Sequence, residues 1–325
     1  MRSARHHAFG EPVDVLVVED VPIPQPGPGE VRIRTTLASI HNHDLWTIRG
    51  QYGYKPALPA IAGSEALGVV DALGEGVEGI AIGQRVNAAS GRGTWAEHFV
   101  ASARMVIPMP DAIDDATAAQ LIAMPLSALM LLEFLQVERG QWIVQNAANG
   151  AVGKTLAMLA AARGIPVLGL VRRDAAVGEM KALGIDHVVS TQASEWKRQA
   201  RTILGEAGAR AAVDSVGGQA SADLLALLGD GGTLVSFGAM GGEAMLVPPG
   251  EMIFKHATVK GFWGSKVSRG MTPQDKRRLV GELVQRAAAG ELKLPVDAIH
   301  DLADVAKAAA ASLRPGRGGK VLLQP

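Results

Sequence analysis

The chain has 325 residues, 48% hydrophobic and 20% charged, a length that at roughly 150 residues per domain predicts two domains and a composition that excludes a disordered chain. Its 32 Lys plus Arg balance 32 Asp plus Glu, so nothing in the overall charge favours nucleic acid, and no apolar run reaches the roughly 20 residues of a membrane helix. It has no cysteine, which excludes disulfides, thiolate nucleophiles and sulfur-ligated zinc.

The N-terminus, Met1-Arg2-Ser3-Ala4-Arg5-His6-His7, carries basic residues without an apolar stretch of signal length, so we expect a cytoplasmic protein. The first hundred residues contain short β-branched runs at 13–18, 31–37 and 67–73, punctuated by Pro26-Gly27-Pro28-Gly29, Gly74-Glu75-Gly76 and Gly91-Arg92-Gly93. Strands at that spacing predict a compact, barrel-like β domain. Residues 114–135 turn rich in alanine and leucine and read as helical segments interrupted at Pro125.

From Gln141 onward, apolar strands alternate with helices. Strands are expected at 142–145, 167–171, 187–190, 211–213, 233–237 and 258–263, with helices at 152–163, 175–183, 194–204 and 220–228 between them. Such βαβ alternation predicts a doubly wound parallel sheet covered on both faces. A helix at 273–289 leads to a final strand at 321–323.

Asn146-Ala147-Ala148-Asn149-Gly150-Ala151-Val152-Gly153 follows the first of these strands and opens a helix. In that context Gly150 lets backbone approach a pyrophosphate, Gly153 permits close helix packing, and the helix N-terminus supplies partial positive charge. Ala148 replaces the usual first glycine, and a tight turn without ligand is the alternative reading. The second strand runs into Arg172 and Arg173, whose guanidinium groups match a 2′-phosphate and so indicate NADPH. Asp174 keeps NADH open, because a one-residue shift in register would present its carboxylate instead.

Six segments now carry a resemblance spanning nearly the whole chain. Gly29-Glu30-Val31, Gly63-Ser64-Glu65-Ala66-Leu67-Gly68-Val69-Val70, Gly83-Gln84-Arg85-Val86, the turn ending at Gly153, Asp214-Ser215-Val216-Gly217-Gly218 and Gly319-Lys320-Val321 occur in the order of the medium-chain dehydrogenase/reductase superfamily, which the sequence therefore resembles. The resemblance implies an α/β protein: a GroES-like β-barrel catalytic domain at 1–120 and 266–325, and a Rossmann doubly wound nucleotide-binding domain at 121–265. In the zinc alcohol dehydrogenases of this superfamily a Cys, a His and a further Cys hold the metal. The matching positions here are His41, Ser64 and roughly Ala123, so we expect no catalytic metal; His41, His43 and Glu65 form the alternative ligand set.

Within the zinc-independent branch, Ile48-Arg49-Gly50-Gln51-Tyr52-Gly53-Tyr54-Lys55-Pro56 resembles the segment of 2-enoyl thioester reductases that carries their catalytic tyrosine, and quinone oxidoreductases are the competing relatives. The resemblance implies Tyr52 as the catalytic residue, with Tyr54, on the same side of an extended segment, as second choice. It further implies cofactor roles for Asn42, Ser127, Asn149, Gly150, Ala151, Val152, Gly153, Phe237, Gly238, Ala239, Phe262, Trp263 and Lys320, with backbone groups of the Phe237 turn facing the cofactor. A tyrosine phenol titrates near pH ~10, so it keeps its proton at neutral pH and can donate to a carbonyl oxygen that gains charge. Arg49, Lys55, Lys266 and Arg269 are candidates for a basic rim that attracts a phosphate-bearing acyl carrier. Partners are then a small enoyl thioester or quinone substrate and a second copy of the chain, since the family's late sheet edge pairs between subunits.

Overall fold

A computed structural model describes residues 1–89 and 92–325. The chain forms two compact units, one of residues 1–123 with 282–325 and the other of residues 124–281.

The first unit is built around the long strand Glu30–Ser39, whose alternating Val31, Ile33 and Leu37 side chains are buried. On one side it pairs with Ala66–Leu73, and on the other with Lys320–Gln324 at one end and His98–Ser102 at the other. Arg85–Ala88, Ile107–Pro108 and Val296–Asp301 complete this sheet, and a separate small sheet joins Val17–Asp20, Arg2–His6 and Ala60–Ile61. Ile33, Ile40, Leu45, Ile48, Trp95, Leu302 and Val321 belong to one hydrophobic core. The helix Asn42–Ile48 leaves the end of the long strand and carries the segment leading to Tyr52.

In the second unit, six strands lie in the spatial order Val188–Ser190, Val167–Val171, Ile143–Gln145, Ala209–Asp214, Leu228–Ser236, Thr258–Gly261. Every pairing is parallel, and the order third, second, first, fourth, fifth, sixth is that of the Rossmann fold. Val167–Val171 is buried at all five positions, as a strand covered on both faces requires.

Several local expectations change. The run at 13–18 is divided: Pro12–Val15 is a helical turn opened by proline, and only Val17–Asp20 is a strand. Pro125 does not interrupt the helices, because it sits in the first turn of Ala123–Leu135, where its missing N–H costs no intrahelical bond; the break falls after Asp115–Ala118. Helices Pro249–Lys255 and Gly264–Gly270 were not expected, being short and opened by proline and glycine. Residues 266–281, read as part of the catalytic domain, cluster with the second unit, where both guanidinium nitrogens of Arg278 reach the Glu133 carboxylate at 2.8 Å. The turn expected at Gly91-Arg92-Gly93 lies partly outside the described residues.

Candidate functional site

In the second unit, the strand Ile143–Gln145 delivers the chain into a tight turn. Ala147 takes a positive φ of 47°, Ala148 N donates to Leu170 O at 3.2 Å, and Gly150 is the N-cap of helix Ala151–Ala162. The glycines have separate reasons. A β-carbon at Gly153 would lie 2.6 Å from Ala148 O, so only glycine lets the helix pack this closely. A β-carbon at Gly169 would lie 2.8 Å from the Ala148 methyl; that glycine on the neighbouring strand makes room for alanine where the fingerprint has its first glycine. The exposed Gly150 fronts a twelve-residue helix with no acidic side chain in its first turn, a chemistry that suits a pyrophosphate.

Asp214 braces this turn from below. Its buried carboxylate accepts hydrogen bonds from Asn146 Nδ2 (2.7 Å), Val216 N (2.9 Å), Gly217 N (3.0 Å) and the Ser221 hydroxyl. Asn146 Oδ1 in turn accepts from Ser215 N at 2.7 Å. Neither role was read from the sequence, although Asp214 opens one of the matching motifs, and Gly217 and Gly218 have φ values of 87° and 56°.

Arg172 stands immediately beyond the last strand residue, Val171, and is exposed. Arg173 caps the next helix and reaches Glu179 at 3.3 Å, while Asp174 is that helix's first residue. The shift that would put Asp174 at the strand end does not occur. Asn149 in the turn, and Ala151 and Val152 at the helix start, are half-buried.

Phe237 N and Gly238 N both donate to Asp214 O, at 2.7 and 3.2 Å, and Ala239 O accepts from Gly242 N at 3.1 Å. These three backbone groups thus hold the turn's own structure together. The Phe237 ring stacks on Phe262 at 5.8 Å, and Phe262 meets Phe134 edge-on at 5.3 Å. Trp263 is 40% exposed beneath the Arg269 guanidinium, and Ser127 is buried beside Gly264, where a β-carbon would sit 3.0 Å from its hydroxyl.

In the first unit, the long strand ends at Ser39, and two residues on His41 N donates to Asp44 Oδ2 at 2.9 Å to start the helix. Asn42 is exposed at its first position. His41 and Glu65 are both fully buried, with His41 Nε2 2.7 Å from Glu65 Oε2. The other carboxylate oxygen accepts from Ile122 N (2.8 Å), Ala123 N (3.1 Å) and Asn87 Nδ2 (3.0 Å). Burial pushes the Glu65 carboxyl up to about 7 against the pull of these donors, and it holds His41 well below the usual imidazole range, helped by Lys320.

His43 stacks on His41 at 5.1 Å and 13°, and its Nε2 lies 2.7 Å from Ser64 Oγ. Tyr52 lies against His43, with ring centroids 5.7 Å apart. Its segment bends at Tyr52-Gly53, so the two tyrosines do not share one extended face: Tyr54 sits under the Arg92 guanidinium at 4.4 Å. Of the basic residues considered as a rim, Arg49 is engaged by Glu11 at 2.7 Å, and Lys55 and Lys266 are exposed.

The metal expected in zinc relatives does not fit these residues. Its three positions hold a histidine committed to Glu65, a serine committed to His43, and an alanine. The alternative set of His41, His43 and Glu65 does not converge, because the stacked imidazoles turn their Nε2 atoms to different partners. Among the described residues, no group of three or more His, Cys, Asp or Glu side chains is placed to hold a metal ion.

Lys320 is buried in the final strand, and its ammonium donates to Ile40 O at 3.3 Å. Burial, with Arg317 nearby, lowers it to about 8 despite Asp44 and Glu65. A lysine depressed in the folded state costs stability fully below that pH, and the cost fades as pH rises toward the unfolded value near 10.5. Lys320→Met is expected to stabilise the protein at pH 7 by about 2 kcal/mol, with the gain vanishing near pH 10.5; thermal melts across that range check it.

Comparison with known proteins agrees with this architecture. The alcohol dehydrogenase GroES-like domain family matches residues 27–111, and the zinc-binding dehydrogenase family matches residues 151–283. The human mitochondrial enoyl-[acyl-carrier-protein] reductase is 31% identical over 324 residues, covering 98% of this chain and 86% of the relative. The Escherichia coli quinone oxidoreductase complexed with NADPH superposes with a TM-score of 0.90 at 25% identity, covering 100% of both chains. The quinone oxidoreductase of Pseudomonas syringae pv. Tomato gives 0.88 at 27%, covering 100% of this chain and 99% of the other. With a parallel nucleotide-binding sheet, a GroES-like unit and relatives matched along almost their whole length, the chain belongs to the medium-chain dehydrogenase/reductase superfamily, resembles its enoyl reductases and quinone oxidoreductases, and is an oxidoreductase.

Proposed function

We propose that the protein is an NADPH-dependent, metal-independent reductase of the carbon–carbon double bond of 2-enoyl thioesters. The observation that carries this reading is Tyr52, one of only two tyrosines in the chain, held against a histidine anchored to the first unit's core. The 31% identity to an enoyl-acyl-carrier reductase supports the same substrate class. NADPH, when bound, supplies the hydride that reaches the β-carbon. Negative charge then builds on the thioester carbonyl oxygen, where the Tyr52 phenol donates a hydrogen bond, and a proton added at the α-carbon completes the reduction. Gly150 and the amides of Ala151 to Gly153 cradle the pyrophosphate, while Arg172 and Arg173 take the 2′-phosphate.

Replacing both Arg172 and Arg173 by Ala is expected to raise the KM for NADPH by about 10-fold or more and leave that for NADH unchanged, since each lost charge-assisted bond costs about 1.5–3 kcal/mol. Initial rates with both cofactors test this; equal losses for the two would remove the 2′-phosphate assignment.

A second reading keeps the cofactor and makes a quinone the acceptor, favoured by the NADPH-bound quinone oxidoreductase among the structural neighbours. The deciding experiment follows NADPH oxidation by chelator-treated protein with a medium-chain trans-2-enoyl-CoA and with a simple quinone. Enoyl turnover supports the first reading; quinone turnover alone transfers the protein to the second. A cytoplasmic homodimer goes with either reading; the dimer is supported by the edge strand Thr258–Gly261, which among the described residues pairs only with Leu228–Ser236.

A further inference from the structure

His43 has no part in the chemistry above, yet it is the residue that the Tyr52 ring rests on. The two ring centroids are 5.7 Å apart and the planes 32° from parallel. His43 is held from two directions: its Nε2 lies 2.7 Å from Ser64 Oγ, and its ring stacks on His41, which is fixed by Glu65 at 2.7 Å. A line of three anchored side chains thus runs from the buried carboxylate out to the phenol. The chain reaches Tyr52 through Gly50, at a φ of 70°, and bends at Tyr52-Gly53. Tyr54, two residues on, lies instead under the Arg92 guanidinium.

We propose that His43 is a positioning residue for the reaction: its imidazole, locked by Ser64 and His41, sets the direction in which Tyr52 presents its hydroxyl to the substrate carbonyl. This rests on the reading of Tyr52 as the donor. Aromatic contacts of this kind shift a rotamer population by roughly 2- to 10-fold, and a donor displaced by about 1 Å loses up to about 10²-fold in rate. In this proposal His43 acts entirely through Tyr52.

The test is a double-mutant cycle read as kcat and KM with trans-2-enoyl-CoA and NADPH. His43→Ala is expected to lower kcat by about 10-fold with the KM for NADPH unchanged, and His43→Phe, which keeps a ring beside Tyr52, to recover most of that loss. In a Tyr52→Phe background, His43→Ala is expected to cost nothing further, because the hydroxyl it orients is gone. Losses that multiply, or a His43→Phe enzyme as slow as His43→Ala, would overturn the proposal while leaving Tyr52 as donor. Wild-type turnover in Tyr52→Phe alone would instead sink the donor reading and the proposal with it. Thermal melts accompany each variant, and His43→Phe keeps the cycle decisive if His43→Ala fails to fold.

Discussion

Tyr52→Phe is expected to lower kcat for enoyl reduction by about 10²-fold or more while the KM for NADPH stays at its wild-type value. The substitution deletes one oxygen and keeps the ring that lies 5.7 Å from His43, so the local packing survives and the loss reports on the hydroxyl. The physical basis is differential: a donor aimed at a carbonyl oxygen stabilises the charge that develops after hydride arrival more than it stabilises the neutral substrate. The residues proposed to bind the cofactor, the turn at Gly150 and the arginines beyond Val171, belong to the other unit of the fold. Steady-state kinetics decide the matter. A loss confined to Tyr54→Phe would move the donor role two residues along, and a loss in neither would leave the chain without a phenolic donor.

Glu65→Leu is expected to be the most destabilising single change in the first unit, costing about 3–5 kcal/mol. It leaves Ile122 N and Ala123 N without their acceptor, leaves Asn87 Nδ2 its bond to Ala118 O alone, and strips the buried His41 of its partner at Nε2. Glu65→Gln keeps an acceptor for the three N–H donors and turns an amide toward His41, so its cost is smaller, about 1–2 kcal/mol.

The pH dependence gives a signed check. A carboxyl raised to about 7 contributes stability that is present below its unfolded value of 4.5 and is lost as pH rises to about 7. An imidazole held well below 6.5 does the reverse: its contribution is present above 6.5 and is lost as pH falls. In the wild type these slopes oppose each other. Glu65→Gln removes the first, so its stability is expected to rise with pH between about 4.5 and 6.5 more steeply than that of the parent, measurable by denaturant titration at fixed pH. Parallel slopes in the two proteins would show that the pair does not titrate as described.

Much of the second unit was legible in the sequence because its signals are local. Four- to six-residue apolar runs separated by amphipathic or alanine-rich stretches specify strands and helices through nearest-neighbour sterics and burial, and βαβ handedness then leaves few topologies open. The turn at 146–153 was legible too, but the reason alanine is accepted at position 148 was not. That reason is Gly169, on the adjacent strand, whose missing β-carbon is the space the Ala148 methyl occupies. Pro125 misled for a related cause: whether a proline breaks a helix depends on its distance from the helix start, and that start is set where Ile122 N and Ala123 N meet the Glu65 carboxylate.

The amino-acid sequence by itself determined the two-part α/β organisation, the place of the strand-to-helix turn at 146–153, and the loss of the sulfur ligands a zinc centre would need. The tertiary structure alone decided what became of the metal positions. His41, Asn87 and the backbone at 122–123 are far apart in the chain, and only the fold brings them onto one buried carboxylate, Glu65. Lys320 joins the same buried region through Ile40 O from 280 residues away. A hydrogen bond between such residues leaves no periodicity or spacing in the sequence, because its cost and its gain both arise from burial, which is a property of the folded chain.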